Sequence, residues 1–258
     1  METWRTSGEC VFVCGSPYTE VSTVAWALAA HQSFWTSSES RFLYQLFGSR
    51  AGLERPYLYD VYTNCTQEGA WLRVNAVSYP EFVASLGYGI EALFKERARH
   101  KRWVDSSPEN ALMLDELMLM FPGASVIGLL QPLRTALFLN NAQGVTLTGQ
   151  LVQELDQLNT LYTDRLRMAA SSLPDRVYLL EEADLFDEPD KTFADLLEFL
   201  GEDDNERVSA AFCGHLLRLG LPLAKARTEL DGFAKTTNGR PADSLGRMQS
   251  ASANRGRR

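Results

Sequence analysis

Short unbroken apolar runs, separated by segments of helical period, constrain this chain more than any other feature. Cys10-Val11-Phe12-Val13-Cys14 is closed by Gly15-Ser16-Pro17, the pattern of a strand buried on both faces that runs out into a loop. Ser22 or Thr23 then caps a helix expected to reach His31, with Val24, Trp26, Leu28 and Ala29 on its buried side. Glu81–Arg99 reads as a second helix and Arg102–Asp105 as a strand. Pro108 and Asn110 open a third helix carrying Leu114, Leu117, Met118 and Phe121, stopped at Phe121-Pro122-Gly123. Ser125–Leu130 and Arg176–Leu180 are further strand-like runs, with a long amphipathic helix over Gly149–Ser171 between them. Asp190–Leu200 and Glu206–Leu219 close the pattern as helices. Strands alternating with helices imply parallel pairing through helical crossovers, and so an α/β fold with a central parallel sheet flanked by helices.

The chain has 258 residues, 45% of them hydrophobic, enough for one large core spanning residues 1–224. Between Glu39 and Tyr79 the periodicity is weak but aromatic residues abound, and residues 40–80 are expected to form a lid or pocket wall. No apolar run of membrane-spanning length and no signal-peptide core is present, so a cytoplasmic protein with no membrane contact is expected. Four scattered cysteines indicate neither a disulfide framework nor a zinc site. Residues 225–258 hold eight Lys/Arg against three Asp/Glu, and the formal net charge of −8 therefore leaves −13 on residues 1–224. That acidic body argues against nucleic acid as a partner, and the basic end reads as a disordered tail.

Four stretches, in order and spacing, resemble the sulfotransferase superfamily, in particular its bacterial branch with an opening of the GSPRSGT type. Gly15-Ser16-Pro17 stands where that loop begins, and Glu39-Ser40-Arg41-Phe42-Leu43-Tyr44 is similar to the glutamate-bearing segment beyond the first helix. Lys101–Asn110, reading KRWVDSSPEN, resembles the family's RWVDKTPRN segment and runs on into Met120-Phe121-Pro122-Gly123-Ala124. Ala183-Asp184-Leu185, Glu188-Pro189 and Glu198-Phe199-Leu200-Gly201 resemble the closing YEDL, P and EFLG pattern.

The resemblance implies a P-loop-like three-layer domain, with 3′-phosphoadenosine 5′-phosphosulfate (PAPS) as sulfuryl donor, its phosphosulfate held by backbone N–H groups at a helix N-terminus, and no metal. The donor-contacting positions become Gly15, Ser16, Pro17, Tyr18, Thr19, Glu20, Val21 and Ser22, then Gln131 and Arg134 after the Ser125–Leu130 run. Glu39 falls on the glutamate that serves part of the family as general base for the acceptor hydroxyl; a carboxylate capping the next helix is the competing reading. Several of these positions depart from the pattern. Tyr18 replaces the loop's basic residue, Glu20 its glycine, Ser106 the lysine before Thr-Pro, Gln131 the arginine of the 3′-phosphate site, Leu139 its serine and Glu181 a further basic residue. Losing several charge-assisted contacts, at about 1.5–3 kcal/mol each, would lower donor affinity by powers of ten. Arg134 and the cluster Arg99, His100, Lys101, Arg102 are the candidates to compensate, and Glu20 could fill the anion site from within.

The expected function is a sulfotransferase-like protein acting as the donor-site-degraded supporting subunit of a heteromeric enzyme, beside an active sulfotransferase-like paralogue. The acceptor would be a small-molecule hydroxyl in bacterial biosynthesis. Two alternatives stay open: a divergent transferase that uses PAPS on its own, and a PAPS-independent catalyst that uses Glu39 or Glu20 for proton transfer. Asp184, Asp187, Glu188 and Asp190 read as helix-capping acids rather than metal ligands, and Met113, Met118 and Met120 as core.

Overall fold

The computed structural model describes residues 10–17, 19–37, 40–48, 57–131, 148–203 and 206–218. Five strands form one wholly parallel sheet: β1 (Val11–Gly15), β2 (Phe34–Thr36), β3 (Arg102–Asp105), β4 (Ser125–Leu130) and β5 (Val177–Glu181), in spatial order β2-β3-β1-β4-β5. The strand with the longest fully apolar run, β1, therefore lies at the centre. Both of its faces are covered, which is why it carries no polar alternation.

Cys10, Phe12 and Cys14 point into one core, against α5 (Tyr79–Ala98), a 3-10 segment (Pro108–Met113), α6 (Leu114–Met120) and α7 (Gly149–Ser172). At its centre Trp103 stacks on Phe94 at 4.5 Å and meets Phe12 and Phe121 edge-on at 5.5 and 5.4 Å. Val11 and Val13 point into the opposite core, against α1 (Val21–Leu28), α8 (Glu182–Asp187), α9 (Pro189–Phe199) and α10 (Glu206–Arg218). Three layers result, as expected. Three short helices fill the aromatic-rich stretch: α2 (Phe42–Phe47), α3 (Tyr57–Asn64) and α4 (Trp71–Val74).

Several local expectations are corrected. The first helix starts at Val21, not after Ser22 or Thr23, and stops at Leu28, short of His31. Trp26 is 49% exposed rather than buried, because two residues on from Val24 is about 200° around a helix. The third helix is not continuous from Pro108. Its first part winds as a 3-10 turn, where Ser107 N–H and the Asn110 amide both bond back to Asp105 Oδ1, at 2.8 and 3.1 Å. Edge strand β2, only three residues long, is not legible in the sequence.

Among the described residues no helix is long and apolar enough to cross a membrane, and no cluster of His, Cys, Asp or Glu could hold a metal ion. The four cysteines are unpaired, and burial pushes the Cys10 and Cys14 thiols well above their usual range.

Candidate functional site

The strand register places three chain segments side by side on the carboxyl edge of the sheet. Gly15 lies beside Leu129, and Leu130 beside Glu181. The loop after β1, Gln131 after β4 and Glu182 after β5 therefore form one row, at the edge where sites of parallel α/β sheets gather. Gly15 is required there by space: a Cβ would come within 2.6 Å of Thr19 Oγ1 and 2.8 Å of the Leu129 carbonyl oxygen.

Two residues of the loop have their donors engaged within the chain. The N–H and hydroxyl of Thr19 both donate to the Ser16 carbonyl, at 3.2 and 2.7 Å, closing a tight turn. The N–H of Glu20, at the mouth of α1, donates to Glu182 Oε1 at 2.7 Å. The other oxygen of Glu182 accepts from Gln131 Nε2, also at 2.7 Å. Glu182 is buried, at 4% exposure. Burial pushes its pKa up to about 8, and the nearby Glu20 charge acts in the same direction; the bonds from the Glu20 N–H and Gln131 pull it back. The Ser16 hydroxyl beneath is buried with no hydrogen-bond partner.

The structure thus brings Gly15, Ser16, Pro17, Thr19, Glu20, Val21, Ser22 and Gln131 together at one strand edge. It corrects the role expected of Glu20. That carboxylate accepts from the Thr23 hydroxyl in its own helical turn, and the chain's own carboxyl on the loop N–H is Glu182, which sequence reasoning missed. The available signal was position: an acid directly after a strand-like run, at the place where the YEDL pattern begins. Tyr18, Glu39 and Arg134 lie outside the described residues, as does Leu139.

Beside this row a hollow of about 340 Å³ opens between the ends of β4 and β5 and the middle of α7. Gln131, Asn159, Thr163, Asp164, Arg167 and Glu181 are among the residues that line it. Arg167 is its only cation among the described residues. The cluster Arg99–Arg102 does not reach the hollow, since it precedes β3 at the opposite edge of the sheet. There Arg102 donates to the Leu200 carbonyl at 2.7 Å and pairs with Glu202 at 3.3 Å.

A second polar network fastens the two central motifs to each other. Asp105, 2% exposed, accepts from the Ser40 hydroxyl at 2.8 Å as well as from Ser107 and Asn110. The Arg41 N–H donates to Ser107 Oγ at 2.8 Å, and its side chain pairs with Glu109 at 3.3 Å. The φ of +50° at Arg41 is the unusual backbone conformation that this clamp holds. Ser106 is fully buried, its hydroxyl without a hydrogen-bond partner.

A central parallel strand ending in a glycine-opened loop at a helix, with its companion groups on the adjoining strand ends, defines a P-loop-like α/β protein. The sulfotransferase family model matches residues 11–206, and the chain belongs to that family. No curated protein sequence matches it. Among solved structures it is similar to the sulfotransferase domain of the Synechococcus PCC 7002 olefin synthase, at 14% identity over 92% of this chain and 96% of that one, with a TM-score of 0.60. The sulfotransferase domain from the curacin biosynthetic pathway gives 15% identity, 95% and 97% coverage and a TM-score of 0.58. A sulfotransferase of Mycobacterium tuberculosis H37Rv gives 18% identity, 87% and 77% coverage and 0.51. At such identities the likeness is one of fold.

Proposed function

We propose that this chain is the supporting subunit of a heteromeric sulfotransferase, its own donor loop closed from within, working beside an active paralogue that sulfates a small-molecule hydroxyl. The observation that carries the reading is the Glu182 carboxyl, buried and hydrogen-bonded to the loop N–H of Glu20 and to Gln131. PAPS carries several negative charges and needs loop N–H groups and cations. Here the Thr19 and Glu20 N–H groups are taken, and Glu20, Asp164 and Glu181 stand against Arg167. The described residues do not fit that donor, and no transfer step is assigned to them.

The test is a thermal shift of the isolated chain with PAPS or its desulfated product, since a ligand that binds only the native state raises apparent stability in step with its affinity. No shift is expected at millimolar donor, and co-expression with a sulfotransferase-like chain that retains the loop cation should yield a stable complex. Arg167 favours a second reading, a divergent transferase that has re-sited a cation onto α7. That reading wins if PAPS stabilises the isolated chain and Arg167→Gln removes the gain.

A further inference from the structure

On the flank of α7 away from Gln131 lies a cleft of about 390 Å³, bounded by the 3-10 segment, α6 and the C-terminal half of α7. That volume falls among those of small-molecule sites, which run from about 300 to 1,000 Å³. Its walls are largely apolar, with Leu112, Met118, Leu119, Met168 and Leu173 among them. Met168 is 62% exposed, and methionine suits a wall that must adapt to an occupant.

The charge in this cleft is held in an unusual way. Arg176, in the turn between α7 and β5, donates through Nε to the Ala124 carbonyl and through Nη2 to the Phe121 carbonyl, both at 3.0 Å, with Met118 Sδ also at 3.0 Å from Nη2. All three partners are neutral. No carboxylate among the described residues lies within ion-pair distance of it. Burial lowers its pKa, the sign of a cation partly stripped of water. Arg165 lines the cleft too, with Asp115 as the only acid in the lining among the described residues. Glu116, next to Asp115, is not part of the lining; it is buried and accepts from the Tyr79 hydroxyl at 3.1 Å. Among the described residues the lining therefore combines an apolar wall, one fixed guanidinium and one exposed one, with a net charge of +1.

We infer that this cleft binds a small amphiphilic carboxylate, its hydrocarbon body against Met118, Leu119, Met168 and Leu173 and its single anionic head on Arg176 and Arg165. The protein holds Nε and Nη2 of Arg176, which leaves its Nη1 as donor, while the guanidinium fork of Arg165 matches a carboxylate; the apolar wall rewards a hydrocarbon body in proportion to the area buried. The inference stands apart from the donor loop, because no residue of the Glu20–Glu182–Gln131 row lines the cleft.

The test uses the full chain and decanoate, with decanol lacking the charge and acetate lacking the body, followed by calorimetry. Saturable one-to-one binding of decanoate in the range of about 1 mM or tighter is expected, with decanol and acetate each weaker by roughly tenfold. Arg165 and Met168 are exposed, so Arg165→Gln and Met168→Glu should fold, as circular dichroism would verify. The first should weaken decanoate about fivefold and leave decanol unchanged; the second should weaken both by about tenfold or more. Arg97→Gln, on α5, serves as the unaffected control. Equal affinity for decanoate and decanol, or indifference to both variants, overturns the inference. So does light scattering that shows a dimer which Met168→Glu returns to monomer, since the occupant would then be a second copy of the chain.

Discussion

The proton on Glu182 makes stability depend on pH in a direction its burial dictates. Its pKa in the folded chain stands at about 8, against an ordinary 4.5 when unfolded, so between those values the native state holds a proton that the unfolded chain has released. Stability must fall as pH rises through that window, by about 1.4 kcal/mol per pH unit for one proton, and level off above it. Glu182→Gln keeps a carbonyl for the Glu20 N–H and has nothing to titrate. Its melting temperature should change much less between pH 5 and pH 8, with a residual slope from Glu116, whose carboxyl burial also raises. Melts across that range check this, and a variant slope equal to that of the native chain would contradict the assignment. The same residue shows why this part of the site was not legible beforehand. Its partners Glu20 and Gln131 lie 162 and 51 positions away, and an acid at the start of a helix looks, in sequence, like any dipole-favouring cap.

At the scale of elements, legibility tracked burial and length. β1 and β4 could be read because both faces are covered and, after Ser125, every residue is apolar, whereas β2 borrows its place from pairing Trp35 with Trp103 at the sheet edge. The 3-10 opening of the third helix was hidden for another reason: its first turn is tied to Asp105, a side chain outside the helix. That carboxylate joins the end of β3 to Ser40 at the mouth of α2, and the expected cost of removing it is correspondingly large. Asp105→Ala leaves the Ser40 hydroxyl, the Ser107 N–H and the Asn110 amide without their acceptor and should destabilise by roughly 2–4 kcal/mol in urea titrations. Asp105→Asn retains one acceptor oxygen and should lose less. Amide exchange at Arg41 and Phe42 should accelerate in the alanine variant. Unchanged exchange there would mean that the clamp does not hold the segment.

For the whole molecule, the consequential fact is that both cores share one sheet. Ile90 lies in the core on the α5 side and Ile127 in the core on the α1 side, both buried. Losing either core would expose strands whose other face depends on them, so the two are expected to melt together rather than in sequence. Ile→Val removes one methylene and typically costs about 0.5–1.5 kcal/mol. With the sheet between them the two side chains have no common cavity to collapse into, so the double variant Ile90→Val, Ile127→Val should lose the sum of the single losses to within about 0.5 kcal/mol. In each case fluorescence, dominated in part by buried Trp103, and far-UV circular dichroism should report the same urea midpoint. Separate midpoints, with Ile127→Val moving only one of them, would show that the helices on one face come away while the other core persists. The loop after β1 would then be the first part of the site to go, because α1, which it opens, belongs to the Ile127 side.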